Sequence, residues 1–263
     1  MTTYENRLGP ARSSRMVVAG GCGGIGRELV TQAIASGVEV VVLDLPASMR
    51  DDTKVDGAQY IGFDASDPST IEAAAARVET QWDRVDSFVF LSGYPILPKR
   101  PLAEISLSQW NHLMSVNLTS AYLLANAFLP MLRKSEQAAM VTVASSLAYQ
   151  VMPGMGAYAT SKGGLVSLTK ALAAECAPRI RANVVAPGAV ENTDFLVGGP
   201  ARGDTDTDRS WFDAMVGKYV ATIPLGRVAM PADVVGPILF LAGPASGYMT
   251  GQVLHLNGGR LTP

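Results

Sequence analysis

The sequence is poor in cysteine and has no long hydrophobic run. Cys22 and Cys176 are the only cysteines among 263 residues, and their wide separation predicts neither a disulfide framework nor a zinc site. No apolar run approaches the roughly 18 residues needed to span a bilayer. Residues 1–13 are polar and lack the apolar core of a signal peptide. We therefore expect no membrane partner, no metal, a reducing cytoplasmic location and a flexible lead-in over residues 1–13.

The chain also lacks an excess of charge of either sign. Its net charge is −2 and its basic residues are dispersed, so it has no basic region typical of a nucleic-acid-binding protein. Internal repeats and low-complexity linkers are absent as well. Because 48% of the residues are hydrophobic, the chain has enough apolar material for a full core. We expect residues 1–263 to form a single domain.

Short β-branched segments alternate with longer segments of helical spacing. The predicted strands cover residues 15–20, 38–44, 58–64, 86–93, 138–145, 180–187 and 252–259. Nearly continuous apolar strands separated by helices are typical of a parallel sheet covered on both faces. Asp67 followed by Pro68 predicts the start of one of the helices. The pattern predicts an α/β, doubly wound, Rossmann-type parallel sheet of about seven strands.

Residues 190–220 interrupt this alternation. The segment follows the sixth predicted strand and is rich in Gly, Asp and Thr before it becomes amphipathic around Trp211–Tyr219. Open α/β sheets bind ligands at the carboxyl ends of their strands, and long loops there are often lids. We predict a substrate lid, although a tolerated surface insertion would look similar.

The first predicted strand runs through glycines into a helix, in VVAGGCGGIGREL at 17–29. Gly20 permits a tight bend, Gly24 lets the backbone approach a diphosphate, and Gly26 lets the helix pack on the strand. The helix N-terminus would hold the diphosphate through its N–H groups and its dipole. The position of this turn, between a first strand and a first helix, favours a dinucleotide site over a simple tight turn.

Two carboxylates end the second and third predicted strands. Asp44 can accept both ribose hydroxyls of NAD and would repel the additional phosphate of NADP. No Arg or Lys directly follows it, and none lies within the glycine turn. Asp64 could contact the adenine edge, or it could cap the next helix. We therefore predict NAD as the cofactor.

Tyr158 and Lys162 lie four residues apart in GAYATSKGG, so they share one face of a helix. A tyrosine has an unperturbed pKa of about 10, and bringing it near 7 takes roughly 4 kcal/mol of differential stabilisation. One nearby cation lowers the pKa of an acid by about 1–3 units, so the positive nicotinamide ring would have to assist Lys162. An exposed helix pair would show the same spacing. Beside the predicted cofactor, we expect Tyr158 to transfer a proton.

Two further polar positions accompany this pair. Ser145 ends the fifth predicted strand, where its hydroxyl could hold a substrate oxygen. Ser146 is the competing candidate, and a strand-end serine could also cap a helix or turn. Asn117 lies among apolar residues of a long predicted helix, where asparagine is a poor helix former. It is either a buried amide satisfied by backbone or an amide that holds water and links Lys162 to solvent.

Together these motifs resemble the short-chain dehydrogenase/reductase family over residues 14–259. The family's glycine pattern is similar to AGGCGGIG at 19–26, and its tyrosine and lysine match YATSK at 158–162. Its C-terminal signature is similar to the segment from Gly226 to Gly259. The resemblance implies four catalytic residues, which are Asn117, Ser145, Tyr158 and Lys162.

The resemblance also implies where the cofactor is bound. NVVAPGAVENTDF at 183–195 is similar to the family segment that contacts nicotinamide, and it leaves Asn192 or Thr193 for the carboxamide. The chain departs from the family pattern at Ala19 and in FLSG at 90–93. The predicted cofactor-binding residues are Gly20, Cys22, Gly24, Ile25, Asp44, Leu45, Asp64, Ala65, Ser92, Gly93, Tyr158, Lys162, Pro187, Gly188 and Val190.

We therefore expect an NAD-dependent oxidoreductase that interconverts a secondary alcohol and a ketone by direct hydride transfer. The alternative is a catalytically silent protein of the same kind that senses NAD. A partly apolar small-molecule substrate is expected from the candidate pocket residues Tyr94, Pro95, Ile96, Leu147, Gln150, Met152, Met155, Phe195, Trp211, Phe212 and Met215. Three basic residues could meet a carboxylate or could simply be solvated, namely Arg202, Arg209 and Lys218.

The resemblance further implies self-association. A homotetramer, or a homodimer, would be built on the long predicted helices at 106–134 and 156–177 and on the C-terminal segment. Small residues on the second of these helices allow close packing between chains.

Overall fold

A computed structural model of the chain describes residues 8–97, 99–191, 193 and 216–262. Within these residues, seven parallel strands form one sheet in the order β3-β2-β1-β4-β5-β6-β7. The strands are β1 Arg15–Ala19, β2 Glu39–Asp44, β3 Gln59–Gly62, β4 Ser87–Phe90, β5 Ala138–Val143, β6 Ile180–Pro187 and β7 Val253–Leu256. Each lies within a predicted strand, and the doubly wound α/β fold is confirmed.

The helices cover both faces of this sheet. They are α1 Gly24–Ala35, α2 Pro68–Gln81, α3 Leu107–Met114, α4 Ser120–Leu132, α5 Gly156–Cys176 and α6 Pro231–Ala242. A π-helical turn, Ser115–Thr119, joins α3 to α4, so the long predicted helix is continuous but locally widened. α2 begins as predicted, because the Asp67 side chain accepts a hydrogen bond from the Ser69 N–H at 2.9 Å.

Alternate residues of each strand pack against different helices. Val17 of β1 belongs to a buried cluster with residues of α2, α4 and α5, such as Leu124. Its neighbour Val18 belongs to a second cluster with Leu29 of α1 and Ile238 of α6. Successive strand side chains point to opposite faces, so a strand buried on both faces is apolar at most of its positions. The continuous apolar runs in the sequence follow from this arrangement.

The strand order reverses between β1 and β4. Their last residues, Ala19 and Phe90, are paired, and the Leu91 N–H continues the ladder to the Ala19 carbonyl at 2.8 Å. The loops after these two strands therefore leave the sheet side by side. Ligands of open α/β sheets bind at such a reversal, outside the carboxyl ends of the strands.

The predicted lid falls mostly on residues 194–215, which lie outside the described residues. Its flanks are described: Val190 forms an isolated bridge with Ala229, and residues 216–220 are helical. No helix in the described part of the chain combines the length and apolarity needed to cross a membrane. The expectation of a single domain over residues 1–263 stays a prediction.

Candidate active site

The glycine turn after β1 is too tight for side chains at two of its positions. A Cβ at Gly26 would lie 2.4 Å from the Gly20 carbonyl oxygen, and a Cβ at Gly20 would lie 2.7 Å from the Ser92 nitrogen. Gly20 also has a φ of +86°, which disfavours any L side chain. The N-cap of α1 is Gly23, so no side chain occupies the first N–H groups of the helix. These residues fit a diphosphate, which would bind there through backbone N–H groups.

Asp44 lies next to this turn and is anchored by backbone. Its two carboxylate oxygens accept hydrogen bonds from the Cys22 and Leu45 N–H groups, each at 2.8 Å. Burial raises the pKa of the carboxyl, and the two N–H groups act against that shift. Burial, followed by the charge of Asp44, raises the pKa of the Cys22 thiol to about 12, so the thiol stays protonated. The carboxylate is thereby held in one orientation beside the predicted ribose position.

The other residues predicted to contact the adenosine half of the cofactor follow β3, lie on α1 or follow Asp44. Asp64 accepts hydrogen bonds from the N–H and hydroxyl of Ser66, each at 2.7 Å, and so stabilises the turn before α2. The cap of α2 itself is Asp67. Ala65 is buried, and Ile25 packs against the cluster beneath α1. Leu45 follows Asp44 at the start of a short turn.

The Tyr158–Lys162 pair lies in the first turns of α5 and is buried. Lys162 is only 3% exposed, and its Nζ donates a hydrogen bond to the Val143 carbonyl at the end of β5 (3.0 Å). The same nitrogen lies 5.9 Å from the centroid of the Tyr158 ring. Burial lowers the pKa of Lys162 to about 7. The interpretation as an exposed helix pair is therefore wrong, because both side chains lie in the interior of the protein.

Gly93 is in contact with this interior. A Cβ at Gly93 would lie 3.1 Å from both the Lys162 Nζ and the Asn117 Oδ1, and the φ of Gly93 is +151°. The loop after β4 thus passes directly over the buried amine and the buried amide. A side chain at this point would be strained by the backbone conformation and crowded by both groups.

Ser145 follows β5 by two residues. Its hydroxyl accepts a hydrogen bond from the Leu147 N–H at 3.1 Å and caps a short 3₁₀ turn, Ser146–Ala148. Because the hydroxyl is the acceptor there, its own proton is available for a substrate oxygen. The capping role and the predicted substrate role are compatible.

Asn117 is fully buried in the π-helical turn. Its Nδ2 donates to the Tyr94 carbonyl (2.9 Å) and to the Ser161 hydroxyl (3.0 Å), and its Oδ1 accepts from the Tyr94 N–H (3.0 Å). The amide therefore joins the loop after β4 to α5. These bonds are those of a buried amide satisfied mainly by backbone, one of the two interpretations of the sequence.

The predicted nicotinamide segment begins at the end of β6. Pro187 pairs with Leu256, and the Gly188 N–H donates to the Leu256 carbonyl at 2.8 Å. The Thr193 hydroxyl donates to the Val190 carbonyl at 3.3 Å. Asn192, the competing residue for the carboxamide, lies outside the described residues.

The predicted substrate residues are only partly described. Tyr94 lies in the loop held by Asn117, with its ring 5.7 Å from that of His112. Gln150 continues the turn that Ser145 caps, and its N–H donates to the Ser146 carbonyl at 3.0 Å. Lys218 is exposed. Phe195, Arg202, Arg209, Trp211, Phe212 and Met215 lie outside the described residues.

Some residues of the site are not apparent from the sequence. Ser161 receives a hydrogen bond from Asn117 although the two lie 44 positions apart. Tyr219 and Arg260 contact each other and reach the segment after β6, as described below. No local spacing relates these positions. The only signal was that Tyr219 falls within the segment that interrupts the strand–helix alternation.

Comparison with known proteins extends this picture. The family described as enoyl-(acyl carrier protein) reductase matches residues 20–260. Two curated relatives are the 3-oxoacyl-[acyl-carrier-protein] reductases FabG of Vibrio cholerae serotype O1 and Escherichia coli K12. Each is 29% identical to this chain, over 247 and 255 residues respectively, and each comparison covers 92% of the chain and 95% of the relative.

Solved structures give the same fold. A short-chain dehydrogenase/reductase from Brucella melitensis, described as glucose/ribitol dehydrogenase, is 28% identical with a TM-score of 0.83, covering 97% of this chain and 99% of that one. The ligand-free aldohexose dehydrogenase of Thermoplasma acidophilum also has a TM-score of 0.83, with coverage of 96% and 98%. At 24% identity, the second similarity concerns the fold alone. The family matches residues 20–260, and the curated relatives cover nearly the whole chain. This chain therefore belongs to the short-chain dehydrogenase/reductase family of oxidoreductases.

Proposed function

We propose that this protein is an NAD-dependent oxidoreductase that interconverts a secondary alcohol and a ketone. The observation that carries the proposal is the buried Lys162, whose Nζ lies 5.9 Å from the Tyr158 ring and whose one described hydrogen bond goes to a backbone carbonyl. Burying an amine next to a phenol lowers the stability of the fold, since desolvation disfavours the ammonium. Such an arrangement is expected where the amine serves proton transfer.

In this proposal Tyr158 is the general acid and base. During reduction its hydroxyl gives a proton to the carbonyl oxygen of the substrate, and during oxidation its phenolate takes the proton back from the alcohol. The bound cofactor supplies or accepts the hydride at the substrate carbon. Lys162 favours the phenolate while it is charged, and Ser145 orients the reacting oxygen through its hydroxyl proton.

Asn117 supports this arrangement by connecting the segments that surround Lys162. Its amide holds the backbone of Tyr94 on one side and Ser161 on the other, so it fixes the loop over Lys162 against α5. We propose that Asn117 maintains the proton path to Lys162 by keeping these elements in register. The π-helical turn in which it lies is of a kind frequent at functional sites.

We propose NAD rather than NADP on the basis of Asp44. Its carboxylate is oriented by the Cys22 and Leu45 N–H groups, at 2.8 Å each. A fixed negative charge there accepts ribose hydroxyls and repels a 2′-phosphate. The predicted contacts at Gly20, Gly24, Ser92, Gly93 and the segment Pro187–Val190 would hold the rest of the cofactor.

For the substrate, two classes of carbonyl compound are candidates. The predicted pocket residues favour a partly apolar ketone or cyclic alcohol. The FabG relatives act, by name, on 3-oxoacyl groups carried by acyl carrier protein, so a 3-oxoacyl thioester is the second candidate. Both classes require the same proton and hydride transfer.

The test is turnover followed by nicotinamide absorbance, with NAD(H) and NADP(H) in parallel. The panel contains acetoacetyl-coenzyme A as a 3-oxoacyl thioester, together with cyclic ketones, secondary alcohols and polyols. Tyr158→Phe is expected to lower turnover by about 10²–10⁴-fold, as for loss of a general acid–base group, while NADH affinity is largely kept.

Tyr248→Phe is the matched control, because Tyr248 is a fully exposed tyrosine. Turnover that survives in Tyr158→Phe would overturn the assignment of the proton donor. NADH binding without turnover of any compound would instead favour the silent NAD-sensing protein.

A further inference from the structure

A cluster around Arg260 lies outside the proposed catalytic residues. The Arg260 guanidinium stacks on the Tyr219 ring, with its Cζ 4.8 Å from the ring centroid. Its Nε donates to the Thr222 hydroxyl at 2.9 Å, and its Nη1 donates to the Gln150 side-chain oxygen at 3.0 Å. Three contacts from two distant parts of the chain therefore fix the guanidinium. We call Arg260, Tyr219, Thr222 and Gln150 the Arg260 cluster.

The Tyr219 hydroxyl connects the Arg260 cluster to the segment that follows β6. Its hydroxyl accepts a hydrogen bond from the Ala189 N–H at 3.3 Å. A Cβ at Gly188 would lie 3.4 Å from the same oxygen, so the hydroxyl also lies beside Gly188. The phenol hydroxyl thus lies against two consecutive positions, Gly188 and Ala189, of the segment that would contact nicotinamide.

Backbone hydrogen bonds make the other contacts of the segment after β6. The Gly188 N–H donates to Leu256, and the Ala229 N–H donates to the Ala189 carbonyl at 3.0 Å. Tyr219 provides the remaining contact, to the Ala189 N–H, and it is a side chain with rotational freedom of its own. A cation stacked on an aromatic face within about 6 Å restricts that freedom. Arg260 is the residue positioned to do this.

We propose that Tyr219, oriented by Arg260, is a positioning residue that holds Gly188–Ala189 against the nicotinamide end of the cofactor. This inference rests on the proposed NAD site. It adds a specific consequence: loss of the Tyr219 hydroxyl weakens binding at the nicotinamide end and leaves the adenosine end unchanged. The adenosine contacts lie at Asp44 and the glycine turn, on the other side of the strand reversal.

The experiment compares the affinities of NADH and ADP-ribose, because ADP-ribose lacks only the nicotinamide ring. Both are titrated by calorimetry into the full-length protein and into Tyr219→Phe. The variant is expected to bind NADH about three- to tenfold more weakly, the effect of one lost hydrogen bond, and ADP-ribose within about twofold of the wild type. A general loss of structure would weaken both ligands equally.

Arg260→Met should reproduce this selective loss, and Arg260→Lys should restore part of it because the cation over the ring remains. If Arg260 acts through Tyr219, the double variant should be little weaker than either single variant. The matched controls are Tyr248→Phe, an exposed tyrosine, and Arg227→Met, which loses a nearby ion pair with Asp233 outside the cluster. Neither control should change the ratio of the two affinities.

An unchanged ratio in Tyr219→Phe, with wild-type protein binding both ligands, would overturn this inference and leave the proposed function standing. Parallel weakening of both ligands would overturn it too, since that result indicates a structural role. Wild-type protein that binds neither ligand would overturn the proposed NAD site and the inference with it.

Discussion

Lys162 is a charged group placed where charge is unfavourable. Its amine is buried, and desolvation lowers its pKa to about 7. A phenolate forming nearby would favour the ammonium, just as the ammonium favours the phenolate. The protonation of Lys162 is therefore expected to respond to the charge of its neighbour near neutral pH. A lysine with an ordinary pKa would remain charged throughout the physiological range and would not respond to its neighbour.

Replacing this lysine should stabilise the cofactor-free fold in a pH-dependent way. The pKa of Lys162 is lower in the folded chain than its ordinary value of 10.5, so the unfolded chain binds more protons between about pH 7 and pH 10.5. Wild-type stability should rise with pH through that window, and the destabilisation is greatest below it. Lys162→Met is expected to be more stable than wild type at about pH 6 and to lose on the order of 2 kcal/mol of that advantage by about pH 9.

Urea unfolding across this pH range measures the effect. Lys170→Met is the control, because Lys170 lies on the same helix and is exposed. Its stability difference from wild type should not vary with pH. An advantage of Lys162→Met that stays constant with pH would contradict the lowered pKa.

Asp44 allows a second prediction at the scale of single residues. Asp44→Asn keeps an oxygen for one of the two N–H donors and removes the charge. We expect the preference for NAD over NADP, measured as the ratio of kcat/KM values, to fall by about tenfold or more, since a repulsive charge is lost. The control is Asp64→Asn, because any adenine contact is common to both cofactors. An unchanged ratio in Asp44→Asn would remove Asp44 from cofactor selection.

At the scale of elements, one half-buried arginine stabilises a helix end. Arg181 of β6 donates to the carbonyls of Leu241 and Gly243, at 3.0 Å each, and to the Ser246 hydroxyl at 2.7 Å. These carbonyls belong to the C-terminal end of α6, which lacks partners within the helix and carries a partial negative charge. Burial lowers the pKa of Arg181, which nevertheless stays a cation.

Arg181→Met should therefore destabilise the protein without altering its chemistry. Because two carbonyls and the Ser246 hydroxyl would lose a charged donor, the free energy of unfolding is expected to fall by about 2–4 kcal/mol. KM values should be unchanged at temperatures where the variant is folded. Arg133→Met, at the exposed end of α4, should change stability by less than about 0.5 kcal/mol. Equal effects of the two substitutions in denaturant unfolding would contradict the capping role.

At the scale of the whole molecule, we propose a homotetramer. The predicted contact surface includes α4, where Tyr122 is half exposed, and α5, where Gly163, Gly164 and Ser167 are among the accessible residues. Light scattering should give a mass four times that of the 27.6 kDa chain. Tyr122→Glu is expected to lower the mass, since it places a charge in an apolar contact. Arg77→Glu on α2 is the control, and a monomeric wild type would contradict the proposal.

Local patterns were sufficient for the architecture of this protein. Central strands that are buried on both faces are apolar at most positions, so the seven strands and their parallel arrangement were visible in the order of residues. The Asp67 cap, the glycine turn and the Tyr158–Lys162 spacing are equally local, because they depend on geometry within a few residues. Each of these features is present in the structure where it was predicted.

Only the tertiary structure decided what these groups contact. The bonds from Lys162 to Val143, from Asn117 to Tyr94 and Ser161, and from Arg260 to Gln150 join residues 19 to 110 positions apart. Such contacts arise when strands from different parts of the chain end at one edge of a sheet, and no spacing rule encodes them. Burial of Lys162, and with it the lowered pKa, is likewise a property of the packed molecule. The sequence by itself determined the fold and the kinds of chemical group at the site, whereas the packing of distant segments decided their partners, burial and charge.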